Sequence, residues 1–201
     1  MKPSQLTDQQ LLAQICEGKQ LAFSELVRRH TNKFFRLALA NLGNTNDAEE
    51  VVQTAFIKLW QNPTAYQPSK AKFTTWFYRV MINQCHDLGR LRERSKLLLD
   101  KSFDHTDDQS LSSEETRLQN SSEQKDRQSA LRLAIRDLPS NQRDAINLQI
   151  YSDLSQRQIA YTLQLSEKAV ESLLVRAKRN LRARFAQSDN LDKATICEKA
   201  I

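Results

Sequence analysis

The sequence predicts an all-α fold: two small helical domains joined by a flexible acidic linker. Three observations predict it. Only three Gly and four Pro occur in 201 residues, too few breakers for a turn-rich all-β chain. Apolar residues recur at spacings of three and four along most of the chain, the period of a one-sided helix. Composition also shifts sharply between Asp100 and Asp126, where eight acidic residues face three basic ones. That stretch nets −5 within a chain of +6, so the rest carries +11. It is rich in Ser and Gln and poor in large apolar residues, so it reads as a tether, not as a wall of one domain.

Thr7 or Asp8 caps a first short helix carrying Leu11, Leu12 and Ile15. Gly18 interrupts it. The second helix buries Phe23, Leu26, Val27, Phe34, Leu37 and Ala38, and Gly43-Asn44 closes it in the manner of a left-handed cap. The third, from about Asp47 to Trp60, carries Val51, Val52, Ala55, Phe56 and Leu59 on one stripe. Pro63 and Pro68 bracket a loop. The fourth starts near Thr74 and runs through Trp76, Val80, Met81 and Leu88 to the region of Arg90 and Lys96. Beyond the linker, one helix carries Ala130, Leu131, Ala134, Ile135 and Leu138, and Pro139 closes it. Three more are expected: Ser140 to Tyr151, Ser155 to Leu163, and Ser166 to Phe185. The expected division is 7–96 for the first domain, 97–122 for the linker, 123–185 for the second domain and 186–201 for a disordered tail.

The basic balance is compatible with a nucleic-acid partner, because phosphates attract Lys and Arg before any base is read. Several classes drop out. No Gly-rich phosphate loop can be assembled. Cys16, Cys85 and Cys197 are odd in number and far apart, which argues against a disulfide framework and for a reducing cytoplasm. The first residues show no apolar signal core, and no apolar run has the length to span a bilayer, so direct membrane insertion is not expected. Adjacent Cys85 and His86 cannot complete a metal site, so neither a metal nor another cofactor is expected. The acidic residues fall in the solvated linker or at exposed helix positions and the three His are scattered, so no catalytic residues and no enzymatic activity are expected.

The last part of the chain carries the sharpest pattern. Ser155 and Ser166 each precede an amphipathic run, with only Gln164 and Leu165 between the runs. Ile159, Ala160 and Leu163 form one apolar face; Val170, Leu173, Leu174, Ala177 and Leu181 form the other. This is the layout of a helix-turn-helix whose second helix enters the major groove. Ser166, Glu167, Lys168, Glu171, Ser172, Val175, Arg176 and Arg179 occupy the opposite face. Arg suits guanine, a carboxylate suits the cytosine amino group, and an apolar tip suits the thymine methyl.

Three segments of the second half resemble the −35-reading domain, region 4, of extracytoplasmic-function (ECF) sigma factors of the sigma-70 family. They are Leu138-Pro-Ser-Asn-Gln-Arg-Asp-Ala145, Leu154-Ser-Gln-Arg-Gln-Ile-Ala160 and the run from Ala169 to Leu181. In the first half, Ala22-Phe-Ser-Glu-Leu26, the run from Asp47 to Trp60 and the run from Phe73 to Asn83 resemble region 2 of the same family. The resemblance implies an alternative, stress- or envelope-responsive sigma factor. Its first domain would grip the clamp helices of the largest subunit of core RNA polymerase and melt the −10 promoter element. Its second would read the −35 element and touch the flap of the second large subunit. It also implies an anti-sigma factor as a partner.

Residue by residue, the resemblance assigns polymerase binding to Glu50, Gln53, Thr54 and Ile57. It assigns the −10 element to Lys70, Lys72, Trp76, Arg79, Asn83, His86 and Arg90. A melted strand needs aromatic faces for unstacked bases and cations for its backbone, which these residue types supply. One of the two aromatics Trp76 and Phe77 is expected in the core. The chain departs from the family pattern at Glu50, where Asp is common, at Thr54, where an acidic residue is common, and at Gln164 and Lys168, where Gly is frequent. Glu171 and Leu173 stand where Lys or Arg is frequent. The competing reading is a free-standing helix-turn-helix regulator, which would need a ligand pocket or a dimer seam.

Overall fold

A computed structural model describes the backbone of residues 3–99 and 122–198, and the side chains of 3–95 and 129–186. Residues 100–121, most of the expected linker, lie outside the described residues. All regular structure among the described residues is helical.

Thr7 opens α1 (Asp8–Cys16) with a reciprocal cap: its side chain accepts from the Gln10 amide while the Gln10 side chain takes the Thr7 amide. Leu11, Leu12 and Ile15 are buried on one face. Gly18, at φ 78°, turns the chain into α2 (Gln20–Leu42). Gly43, at φ 71°, ends that helix in the left-handed conformation that only glycine adopts without strain. Asn44 then caps α3 (Thr45–Gln61), accepting from the Asp47 amide at 3.1 Å. A short 3-10 turn at Pro63–Ala65 leads to α4 (Phe73–Leu99).

These helices close over an aromatic core. Phe34 of α2 sits 6.1 Å from Phe56 of α3, and 4.6 and 5.1 Å from Phe77 and Tyr78 of α4, ring centre to ring centre. All three helices therefore meet at one fully buried ring. Phe77 is in this core and Trp76 is only half-buried beside it, which settles which of the two aromatics the core takes.

The second half holds α5 (Ser122–Arg136), α6 (Ser140–Tyr151), α7 (Gln156–Leu163) and α8 (Glu167–Glu198). Leu138, Ala145, Leu148, Ile159, Val170 and Ala177 are buried among these helices. The backbone helix of α8 continues past residue 185, where the sequence reading ends it, because no Gly or Pro interrupts the chain there.

The two halves also touch. α6 packs on α2, α7 packs on α4, and one continuous cluster of buried residues spans both. Polar pairs sit beside this apolar cluster at the seam. The Asn147 side chain donates to that of Asn41 at 3.1 Å, both buried. Thr162 donates to the Thr75 carbonyl at 3.3 Å. His86 Nε2 lies 2.7 Å from the Asp144 carboxylate. Gly43 belongs to the seam as well: a Cβ there would fall 2.5 Å from the Arg136 guanidinium carbon.

Candidate nucleic-acid interface

The α7–α8 corner is built from local chemistry. Ser155 caps α7 in a second reciprocal box with Gln158. At its other end Gln164, where the family frequently has Gly, takes φ 57°, the left-handed conformation that crowds a residue bearing a Cβ. Two hydrogen bonds hold it there: Leu165 N–H to the Ala160 carbonyl at 2.9 Å, and Gln164 N–H to the Tyr161 carbonyl at 3.3 Å. That pair is the Schellman arrangement, which turns the chain sharply without a further residue. Ser166 then caps α8, accepting from the Ala169 amide at 3.2 Å. The small Ala160 and the buried Ile159 face Val170, Leu174 and Ala177 across the corner.

Everything the sequence assigns to −35 reading lies on the outer side of α8. Ser166, Glu167, Lys168, Glu171, Ser172, Val175, Arg176 and Arg179 are all exposed. Val175, an apolar residue, is 61% exposed within this face. Two neighbours escaped the sequence reading. The Gln156 side chain reaches the Glu167 carbonyl at 3.5 Å, so the start of α7 lies beside the start of α8. Exposed Arg157 therefore stands next to the reading face. Its signal was present in the sequence: the second residue after a capping serine is in the first turn, outside the apolar stripe.

On α4, Trp76, Arg79, Asn83, His86 and Arg90 recur at three and four residues and share one side of the helix. Lys70, Lys72, Asn83 and Arg90 are exposed; Trp76, Arg79 and His86 are half-buried. The Tyr66 hydroxyl donates to the Ala71 carbonyl at 3.0 Å and folds the loop carrying Lys70 back toward α4. Tyr66 and Trp76 rings stand 5.5 Å apart. Beside them is a mostly apolar crevice of about 360 Å³ with Trp76, Val80, Leu59 and Asn62 in its walls. Lys58 is at its rim and donates to Gln84 at 2.9 Å. Sequence reasoning missed Lys58, which follows Thr54 by one helical turn, because the exposed side of α3 was read for polymerase docking and not as a neighbour of Trp76.

Not every member of the α4 set is free. Arg90 pairs with Asp87 at 2.7 Å on the surface. His86 turns to Asp144 of α6. Its pKa is raised above the usual histidine value, chiefly by that hydrogen bond, against the opposing effect of burial. Cys85, next to it, is buried, and burial pushes its thiol up to about 12. No group of three or more potential metal ligands occurs among the described residues.

Glu50, Gln53, Thr54 and Ile57 form one stripe on α3, opposite buried Val52, Ala55, Phe56 and Leu59. Thr54 is half-buried and the other three are exposed. Ile57 is 53% exposed, so the stripe presents an apolar residue among polar ones, a usual composition for a docking face. No helix among the described residues is long and apolar enough to cross a membrane.

The α7–α8 unit thus defines a helix-turn-helix protein of the DNA-reading kind. Comparison with known proteins agrees and goes further. Sigma-70 region 2 matches residues 26–96, and Sigma-70 region 4 matches residues 128–181. The RNA polymerase sigma factor CnrH of Cupriavidus metallidurans is 30% identical over 88% of this chain and 93% of its own length. The ECF RNA polymerase sigma factor SigE of Mycolicibacterium smegmatis is 30% identical over 83% of this chain, which spans only 62% of that longer relative. Among solved structures, CnrH in complex with the cytosolic domain of CnrY superposes with a TM-score of 0.65 at 27% identity, covering 90% of this chain and 97% of that one. The chain belongs to the sigma-70 family, within its ECF group.

Proposed function

We propose that this chain binds core RNA polymerase in the cytoplasm and directs initiation from a subset of promoters, with no chemistry of its own. The observation that carries this reading is the pairing of two matched regions in family order, each with an exposed and chemically suitable face. The α3 stripe of Glu50, Gln53, Thr54 and Ile57 docks on the clamp helices of the largest subunit. Lys70, Lys72, Trp76, Arg79, Asn83 and Arg90, joined by His86 when it is free, hold the melted −10 strand. Here the aromatic face stacks an unpaired base and the cations track its phosphates. The α8 face reads the −35 element: Arg176 and Arg179 serve guanine or phosphate, Glu171 serves the cytosine amino group, and Val175 serves the thymine methyl. Glu171 replaces a cation common in the family, so the preferred −35 sequence differs at the base it meets.

CnrH was solved with the cytosolic domain of CnrY. By analogy the present chain is restrained by an anti-sigma protein that covers these same faces, and the second large subunit's flap receives the second domain once it is released. The residue ranges 7–96 and 123–185 are the working boundaries of the two functional domains, with 97–122 as their tether and 186–201 as a tail.

Run-off transcription with bacterial core polymerase on a promoter library tests the reading. The chain is expected to confer initiation on some fragments. Gln53→Ala is expected to raise the concentration needed for half-maximal transcript several-fold, since it removes a side chain from the docking face. If the chain adds no initiation and instead binds duplex DNA tightly by itself, it is a free-standing regulator.

A further inference from the structure

The N-terminal turn and α1 carry more polar anchoring than their packing requires. Leu11, Leu12 and Ile15 already bury the apolar face of α1, and Leu6 is buried just before it. Added to this is a network on Asp8, the first residue of α1, and on Arg29 and His30, adjacent on α2. Arg29 donates to the Pro3, Ser4 and Leu6 carbonyls at 3.2, 2.9 and 2.7 Å, and to Glu25 of its own helix at 2.7 Å. A planar guanidinium can serve acceptors on several sides at once. The Asp8 carboxylate is shared: one oxygen accepts from Arg29 at 3.2 Å, and the other lies 2.8 Å from His30 Nε2. Its pKa is held below the usual carboxylate value, chiefly by the His30 hydrogen bond, with burial opposing. An ionised carboxylate only accepts, so His30 Nε2 carries a proton and the ring cannot turn without losing this bond.

The ring held in this way faces the loop before α4. It stands edge-on to Phe73, centre to centre at 5.5 Å. Phe73 in turn meets Tyr66 edge-on at 5.8 Å and Trp76 at 6.2 Å. Tyr66 and Phe73 are both buried, and the loop between them carries exposed Lys70 and Lys72. α1 also packs on the Pro63–Ala65 turn, immediately before Tyr66. The start of the loop therefore rests on α1, and its end rests on a ring that α1 fixes.

We propose that Asp8, Arg29 and His30 are positioning residues for −10 recognition: they touch no DNA, and they fix the 66–73 loop in place before the strand arrives. The proposal rests on the promoter reading above and adds residues that lie outside the face assigned there. A loop already ordered loses less conformational freedom when the strand binds, so more of the contact energy appears as affinity. Neither the α3 stripe nor the α8 face includes a member of the network, so freeing the loop leaves both as they are.

Two substitutions test this. Asp8→Ala frees His30 without touching Phe73. His30→Leu removes the ring but keeps its half-buried position filled. Hydrogen–deuterium exchange of the full chain, read by mass spectrometry, tests the network without polymerase or DNA. Peptides covering 63–73 are expected to exchange several-fold faster in either variant, and peptides from α8 are expected not to change. With core polymerase bound, affinity is then measured for a single-stranded −10 oligonucleotide taken from a promoter selected in the run-off assay. It is expected to fall several-fold in either variant, while affinity for core polymerase stays at the native value. The double variant is expected to lose little more than either single one, because both act through one chain of contacts. Unchanged exchange in the 63–73 segment overturns the network. Parallel losses of core and strand affinity report a general loosening of the first half and overturn it too. Faster loop exchange with native strand affinity overturns the role in recognition. A native holoenzyme that fails to bind the strand refutes the promoter reading instead, and the exchange measurement still decides whether the network holds the loop.

Discussion

Replacing Gln164 by Gly probes the geometry of the helix-turn-helix corner directly. Gln164 sits at φ 57°, where a side chain crowds the following carbonyl at a cost of ~1–2 kcal/mol. Glycine removes that crowding but loses more backbone freedom on folding, about 0.5–1 kcal/mol. The Gln164 side chain is exposed and makes no hydrogen bond among the described residues, so nothing else is lost. The net is a stabilisation of about 0.5–1 kcal/mol. Gln164→Ala keeps the Cβ and the crowding, so it is expected to match the native chain. Urea unfolding followed by circular dichroism at 222 nm measures both, provided the slope is unchanged between variants. Should Gly destabilise, or should Ala stabilise as much as Gly, then the left-handed turn is not what limits this corner and the argument fails.

Three further outcomes are expected. Phe34→Ala removes the ring on which α2, α3 and α4 converge, and should cost about 3–5 kcal/mol in the same unfolding assay. Gly89→Ala should add about 0.5–1 kcal/mol, since an added Cβ meets nothing within 4 Å; a concurrent loss of −10 strand binding would show that the glycine admits DNA. Asp8 is held below the usual carboxylate value, chiefly by its hydrogen bond with His30 and also by Arg29, so its contribution is present above its unfolded value near 3.9 and is lost in more acid solution. Asp8→Asn should therefore lower stability most above pH 5, and the difference from the native chain should shrink as pH falls below 4.

Local chemistry in the sequence by itself determined most of the framework. Thr7, Ser155 and Ser166 cap helices because a short hydroxyl reaches an amide three residues on, and Gly43 ends one because it alone is unstrained there. The exposed faces of α3 and α8 were legible for the same reason: helical period sorts each residue to one side. Residues at the edge of a stripe were not. Trp76 and Phe77 are adjacent, so period alone could not assign the core to Phe77; the position of Phe34 on another helix did. The exposure of Lys58 and Arg157 was legible in the helical period, but their place beside the candidate surfaces came only from the neighbouring helices. The seam between the halves was wholly a tertiary decision. His86 and Asp144 are 58 residues apart, and Asn41 and Asn147 are 106 apart. No local rule pairs such groups: each looks like an ordinary polar position on its own helix. Which of them meet depends on how two already folded units dock, and that is a property of shape and burial in three dimensions.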